Sequence, residues 1–229
     1  MRAPISVVIP TLDVTPKLRA TLLTLMEGLD AGLVRELILS DGGSGDGVAE
    51  MADFVGAELV TGPAGRGGQL RRGAEAAQGD WLLFLHGDSW LPEGWAEEAI
   101  RHLAHRHDRA LVFSLGFREA EGVWPRLTAG WANLRTRLFD LPYGDQALLI
   151  SRELYEEAGG YRDLPLMEDV DLARRLAGRI VLSALCVRTD PARYRQRGWL
   201  RQGARNLLRL LRFRPGADPQ SPSRACRRP

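Results

Sequence analysis

Short unbroken apolar runs recur along the first part of the chain, and stretches with helical spacing separate them. Residues 6–10 (SVVIP), 36–40 (ELILS), 58–60 (ELV) and 81–85 (WLLFL) have strand length and predict buried strands. Between the first two, Leu18, Leu22, Leu25, Met26 and Leu29 recur at helical spacing. Thr15 offers an N-cap hydroxyl there, and Pro16 suits the first helical position. Val48–Val55 and residues 69–78 predict two further helices. Strands that alternate with helices predict a parallel sheet with helices on its faces. In such sheets a ligand binds beyond the carboxyl ends of the strands. Pro10-Thr11, Asp41-Gly42-Gly43 and His86-Gly87-Asp88 all fall at those ends.

The second half is less regular. Ala110–Phe117 reads as a strand, 124–139 as a helix, 146–150 as a strand, and 152–158 as a short helix stopped by Gly159-Gly160. Residues 168–176 predict a helix and 180–187 a strand. No internal repeat is visible. In 199–213, Arg201, Arg205, Arg209 and Arg212 share one helical face, and Leu200, Ala204, Leu207, Leu208 and Leu211 share another. That apolar face suits either an anionic membrane surface or packing on the body of the protein. Residues 214–229, rich in Pro, Ser and Arg, are expected to be flexible. The chain thus divides into 1–198, a catalytic-type α/β domain, and 199–229, a basic helix and tail.

Length and charge refine this picture. The 229 residues suffice for one sizeable core. The net charge is only +2, yet twelve of the 31 basic residues and only two of the 29 acids lie from Arg188 onward. An acidic body therefore carries a basic arm, which suits an anionic partner. Cys186, in the apolar run IVLSALCV, reads as core, and Cys226 lies in the tail, so no disulfide framework is expected and a cytoplasmic setting fits. No stretch reads as a signal peptide, and no apolar run approaches the roughly 20 residues of a membrane span.

Three clusters offer chemistry. The first is Gly65-Arg66-Gly67-Gly68-Gln69-Leu70-Arg71-Arg72, Gly-rich and basic at a helix start, where backbone N–H groups together with Arg66 favour a phosphate. It is no Walker loop, and Arg71 and Arg72 read as a solvated face. The second is His86-Gly87-Asp88. The third is Met167-Glu168-Asp169-Val170-Asp171 at a helix start, where Asp171 reads as a stabilising helix acid. Gly144-Asp145-Gln146 reads as a turn before a strand. His102, His105 and His107 read as surface residues, and Trp131 and Trp199 as core.

These segments, in this order, resemble family 2 glycosyltransferases: SVVIPTLD, ELILSDGGSGDG, GDWLLFLHGDSWLP and MEDVDLARRL. The wording GRGGQLRRGAEAAQGDWLLFLHGDSWLP and YGDQALLISRELYEEAGGYRDLPLMEDVDLARRL is similar to a bacterial subgroup labelled transferase 2, selenium/radical-SAM-domain-associated. The resemblance covers about residues 4–215. It implies a GT-A fold, a Rossmann-like three-layer α/β/α arrangement with a mostly parallel central sheet. It also implies a nucleotide-sugar donor, usually UDP-linked, a divalent metal (Mn2+ or Mg2+), inversion at the anomeric carbon, and a lipid or small-molecule acceptor. No nucleic-acid partner is implied.

Site roles follow from the same resemblance. Pro10, Thr11 and Asp41 are expected against the nucleotide, with Asp41 toward the base. Its alternative is a turn Asp before Gly42-Gly43; the family often carries a second acid where Gly42 stands, which competes with Asp41 for the contact to the base. Arg66, with Gln69 in the same stretch, is expected at the donor. Asp88 is the expected metal ligand. His86 replaces the first acid of an Asp-x-Asp motif; it ligates the metal, touches a ribose hydroxyl or packs. Asp145 and Gln146 are expected to line the site. Asp169 is the expected general base, with Glu168 second. Asp46 reads as a loop or capping residue. Two alternatives stand beside this reading, a nucleotidyltransferase and a non-catalytic binding protein. The first lacks its usual Gly-rich, Arg-bearing loop after the first strand, and the retained acids argue against the second.

Overall fold

The structure is a computed structural model that describes residues 3–164 and 166–213. Its first half runs β1 (Ile5–Thr11), α1 (Thr15–Leu23), α2 (Met26–Asp30), β2 (Val34–Asp41), α3 (Val48–Val55), β3 (Glu58–Thr61), α4 (Arg66–Ala76) and β4 (Trp81–Phe84). The second half runs β5 (Ser89–Trp90), α5 (Trp95–His105), β6 (Ala110–Phe117), α6 (Val123–Phe139), one 3₁₀ turn (Gly144–Gln146), β7 (Leu148–Ser151), α7 (Arg152–Glu157), α8 (Glu168–Arg175), β8 (Ile180–Thr189), α9 (Ala192–Arg197) and α10 (Trp199–Arg212).

The strands form one eight-stranded sheet in the order β3-β2-β1-β4-β7-β6-β8-β5. The β3-β2-β1-β4 block is parallel throughout, whereas β7 runs antiparallel to both β4 and β6. The expected three-layer α/β/α arrangement is present, with a mixed, mostly parallel sheet. Alternation along the central strands supplies both faces. Val7, Ile9, Leu83 and Leu85 pack with Leu18, Val48 and Trp95 from α1, α3 and α5. Val8, Leu82 and Phe84 pack with Leu70, Leu154 and Leu172 from α4, α7 and α8. The strand order reverses at β1, so the ends of β1 and β4 open onto a crevice at the topological switch point.

Several local expectations change. Thr15 is the first residue of α1 rather than its cap. Its N–H (2.7 Å) and hydroxyl (2.9 Å) both donate to the Asp46 carboxylate, which caps the helix from a neighbouring loop. Helix α4 begins at Arg66, earlier than the apolar spacing suggests. The strand expected at 146–150 begins at Leu148, because residues 144–146 turn instead. His102 is buried, its ring edge-on to Trp81 and its Nε2 2.9 Å from the Arg109 carbonyl. Cys186, expected in the core, is exposed where β8 shifts register against β6. Trp131, also expected in the core, is half exposed.

The largest change concerns α10. It packs on the body through Gln202, Gly203, Asn206, Arg209 and Leu210, while Leu200, Leu208 and Leu211 face outward. Residues 199–213 thus join the catalytic-type domain as one of its walls. The tail expected to be flexible, 214–229, lies outside the described residues. Among the described residues no helix is long and apolar enough to cross a membrane.

Candidate active site

Strand β4 ends in a pinned loop. The Gly87 carbonyl accepts from the Thr21 hydroxyl at 3.0 Å, and the Ser89 N–H closes a turn onto the His86 carbonyl at 3.0 Å. The Asp88 carbonyl accepts from the Asp190 N–H at 3.2 Å, where β5 pairs with β8. Any side chain at Gly87 would collide with Val14, so this loop sits close against the start of α1. The Asp88 carboxylate is therefore held on a framework tied to α1 and β8.

The crevice contains two adjoining cavities. The wider, about 330 Å³, is lined by Pro10, Thr11, Gly65, Arg66, His86 and Asp88. Gln69 and Glu168 also border it. The smaller, about 170 Å³, brings Asp88, Asp145, Glu168 and Asp169 together with Arg66, Arg193 and Arg209. With Asp190, five carboxylates and three guanidinium groups thus line one space. Arg66 and Glu168, from the N-termini of α4 and α8, border both cavities and lie 3.5 Å apart.

The acidic pair opens α8. Met167 adopts a left-handed backbone at φ +65°, a strained choice for a residue with a side chain, and this turn precedes Glu168 directly. Asp169 accepts from the Gly144 N–H at 2.8 Å and from its neighbour Val170 at 2.8 Å. It stays partly accessible, whereas Glu168 is buried. Burial pushes the Glu168 carboxyl up to about 7; the Asp169 charge adds to this and Arg66 opposes it. Asp145 is pushed up to about 6, by burial first and then by Asp169, against Arg135. Glu168 Oε1 and Asp145 Oδ1 have no hydrogen-bond partner among the described residues. His86 is held well below the ordinary imidazole range by burial, then by Arg66 and Arg193, so the ring is neutral. Asp171 takes the structural role expected of it, paired with Arg162 at 3.3 Å and Arg175 at 2.7 Å.

Gly144 sets the spacing between the two halves of the site. A Cβ there would lie 2.5 Å from His86 Nε2 and 3.7 Å from Asp169 Oδ2. Gln146 locks the turn: its amide donates to the Phe113 carbonyl at 3.0 Å, and its oxygen accepts from the Thr136 hydroxyl (2.9 Å) and the Tyr143 N–H (3.2 Å). Ala147 then passes through φ +53°, a second strained residue at the site's edge.

The structure brings Pro10, Thr11, Arg66, His86, Asp88, Asp145, Glu168 and Asp169 to the cavities, and it leaves Asp41 and Gln146 out of both linings. Gln146 is wholly buried as a support. Asp41 is buried too, and its carboxylate accepts from Thr11 (2.9 Å), Gly43 (2.7 Å) and Ser44 (2.9 Å). Burial alone would raise its pKa, but these bonds lower it overall. Gln69 borders the wider cavity, yet its amide donates to the Thr11 (2.7 Å) and Ser40 (2.9 Å) carbonyls, tying the ends of β1 and β2 to α4. All three also hold the local backbone in place through these bonds. Sequence reasoning missed Tyr143, Arg193, Tyr194, Gln202, Asn206 and Arg209. Their one signal is the run of Arg after Asp190, which reads as an arm in the sequence and folds back as a wall.

A divalent ion would find oxygen donors here in Asp88 and Asp145 and a neutral nitrogen in His86, a set that suits Mn2+ and, through its oxygens, Mg2+. Among the described residues no three His, Cys, Asp or Glu side chains form a ready cage.

Comparisons with known proteins agree with this fold. The family profile "Glycosyl transferase family 2" matches residues 6–154, a stretch that includes Asp88 and stops short of Glu168. The crystal structure of S. aureus TarS 1–349 in complex with UDP-GlcNAc superimposes with a TM-score of 0.62 at 16% identity, covering 82% of this chain and 58% of that one. Glucosyl-3-phosphoglycerate synthase from Mycobacterium tuberculosis, in complex with Mn2+, UDP-glucose and phosphoglyceric acid, superimposes with a TM-score of 0.59 at 24% identity. That match covers 90% of this chain and 79% of the other. No curated protein sequence matches the chain.

Proposed function

Because the chain belongs to glycosyl transferase family 2, we propose that it transfers a sugar from a UDP-linked donor to a hydroxyl of an acceptor that carries an anionic group. The observation that carries this reading is the convergence of Asp88, from the β4 loop, and Asp169, from the start of α8, on one cavity bordered by Arg66. The wider cavity, between the β1 end and the α4 N-terminus, takes the nucleotide. The free N–H groups of α4 and the Arg66 guanidinium face its diphosphate. Asp88, with Asp145 and His86 at hand, would hold a divalent ion, and such an ion would supply charge neutralisation for a departing diphosphate.

The acceptor enters from the α9–α10 side. Asp169 takes the proton from its hydroxyl; the oxygen then bonds to the anomeric carbon as the bond from that carbon to the phosphate oxygen breaks. UDP leaves with the electron pair, and the anomeric centre inverts in this single displacement. Glu168 pairs with Arg66 and is more buried than Asp169, which favours Asp169 as the base. Arg193 and Arg209, with Asn206 and Gln202 between them in the wall, suit a phosphate or carboxylate on the acceptor. Phosphoglyceric acid in the mycobacterial neighbour is an acceptor-type molecule with both groups. Membership of the narrower bacterial subgroup belongs to this proposal. The family match argues against a nucleotidyltransferase, and five carboxylates around one cavity argue against a binding-only protein.

The test is calorimetric titration of UDP and of GDP, with and without Mn2+, into wild type and Asp88→Ala. Tight UDP binding that requires Mn2+ and disappears in the variant is expected. Metal-independent binding that is unchanged in the variant would remove Asp88 from its role, and a preference for GDP would overturn the donor assignment.

A further inference from the structure

Helices α6 and α10 lie side by side and leave an uncovered apolar surface. Among the described residues nineteen large hydrophobic side chains are exposed, and eleven of them belong to these two helices. On α6, Trp124, Leu127, Trp131, Leu134 and Leu138 recur at steps of three and four, so they form one stripe along the outward face. On α10, Leu200, Leu207, Leu208 and Leu211 form the second stripe. The two stripes meet: Trp131 and Leu207 border the same small cleft between the helices, each about half exposed. Isolated surface Leu residues are ordinary, but a contiguous apolar face on a monomer marks a place where something docks.

Charge names the occupant. Neither helix contains a single Asp or Glu. Arg126 and Arg137 are exposed on α6, and Arg201, Arg205 and Arg212 on α10. Outside these two helices the chain carries 24 basic and 29 acidic residues, although the acid-free Arg run also includes the neighbouring α9. Trp and Leu flanked by Arg, with no acid, is the composition of helices that lie in the plane of a membrane with their apolar sides in the headgroup region. An acid-free basic rim complements anionic lipid.

We propose that the α6–α10 face is a peripheral docking surface for an anionic phospholipid bilayer. Helix α10 presents its Leu stripe to the lipid and its Gln202, Asn206 and Arg209 edge to the active-site cavity. The acceptor side of the cavity therefore lies one helix diameter from the bilayer, which suits an acceptor headgroup held at the lipid surface. The docking surface itself stands without the transferase reading, because it rests only on the two helices.

The test is flotation of the full chain with two kinds of vesicle, pure phosphatidylcholine and equal parts phosphatidylcholine and phosphatidylglycerol, at low and raised salt. The protein should float with the anionic vesicles and stay behind with the neutral ones, and raised salt should weaken binding. The pair Arg201→Glu and Arg205→Glu should weaken it roughly tenfold or more, since each basic residue near an anionic surface contributes and each reversal repels. Leu208→Gln with Leu211→Gln should weaken it comparably by removing the buried stripe. All four positions are exposed, so folding should be unchanged by circular dichroism, and so should Mn2+-dependent UDP binding. Equal flotation with both vesicles would overturn the role of charge. Failure to float with either would overturn the proposal; dimers in light scattering that the Leu pair abolishes would assign the face to a second copy of the chain instead.

Discussion

The two walls of the site are built differently. The donor wall comes from the ends of β1 and β4 and the start of α4, and nearly every polar contact behind it is backbone-anchored: Gln69 to two strand-end carbonyls, Thr21 to Gly87, Asp46 to Thr15. The acceptor wall comes from the turn at 144–146, the start of α8, and helices α9 and α10. It rests on charge pairs, strained residues and aromatic stacking, such as Tyr194 on Trp199 at 4.9 Å. Parallel strands fix where a loop begins, so chemistry mounted on them is rigid. A wall of short surface helices is held by fewer buried contacts and can vary with the acceptor.

Substitutions should separate these walls by size of effect. Asp88→Ala should cost the most, roughly 10³-fold or more in transfer rate, because it strips the diphosphate of its main electrostatic partner. Thermal unfolding should show the fold intact. Asp169→Asn should lower the rate roughly 10²–10³-fold while leaving UDP affinity within a few-fold, which turnover and calorimetry together would reveal. If Asp169→Asn instead abolished UDP binding, the two walls would not be functionally separate.

Glu168 gives a readout in stability. Its carboxyl sits at about 7 in the folded protein against 4.5 ordinarily, so folding favours the protonated form. The resulting stabilisation is full below about pH 4.5 and is lost as pH rises through about 7. Asp145, at about 6, acts with the same sign. Between about pH 5 and 8 these two carboxyls subtract stability while His86 and His102, both held below the ordinary imidazole range, add it, so the readout is the difference: Glu168→Gln should remove a loss of about 2 kcal/mol over that window in denaturant titrations compared with wild type. A steeper loss in the variant would contradict the burial argument.

Smaller effects should follow on each side. Arg209→Ala should raise the acceptor KM about tenfold and leave the donor KM alone, the effect expected when one charge-assisted hydrogen bond is removed from a half-exposed site. Asp46→Ala should cost about 1 kcal/mol of stability, as removal of a helix cap does elsewhere, with little change in either KM.

The same contrast explains what could be read from the chain. Strand-end chemistry is local: WLLFL predicts a strand, and His86-Gly87-Asp88 must then stand at its end. The elements from β1 to β4 needed little more than apolar rhythm and glycine, except that the one helix expected after Thr15 is broken into α1 and α2. The role of Asp41 was less accessible, because a carboxylate at a strand end looks the same whether it meets a ligand or, as here, bonds Thr11, Gly43 and Ser44. Gln146 and Gln69 are alike in this, polar residues near a site whose groups bond backbone or a buried hydroxyl. The acceptor wall was hidden for another reason. In α10 the apolar stripe predicts the packed face in a soluble helix, but here the chain packs through Gln202, Gly203 and Asn206 and leaves the stripe outside. Helical period alone does not state which face turns inward when both a polar cavity and a second surface compete for it.

Gly144 gives the molecule an asymmetric tolerance to change. Its missing side chain leaves just enough room for His86 on one side and Asp169 on the other, so the gap between donor and acceptor walls is fixed by an atom that is not there. In a library randomised across the acceptor wall, replacements at Arg193, Asn206 and Arg209 should survive and shift acceptor preference, whereas position 144 should return almost only glycine. New acceptors would then be reached by redecorating the outer helices, with the reacting centre kept at one invariant separation.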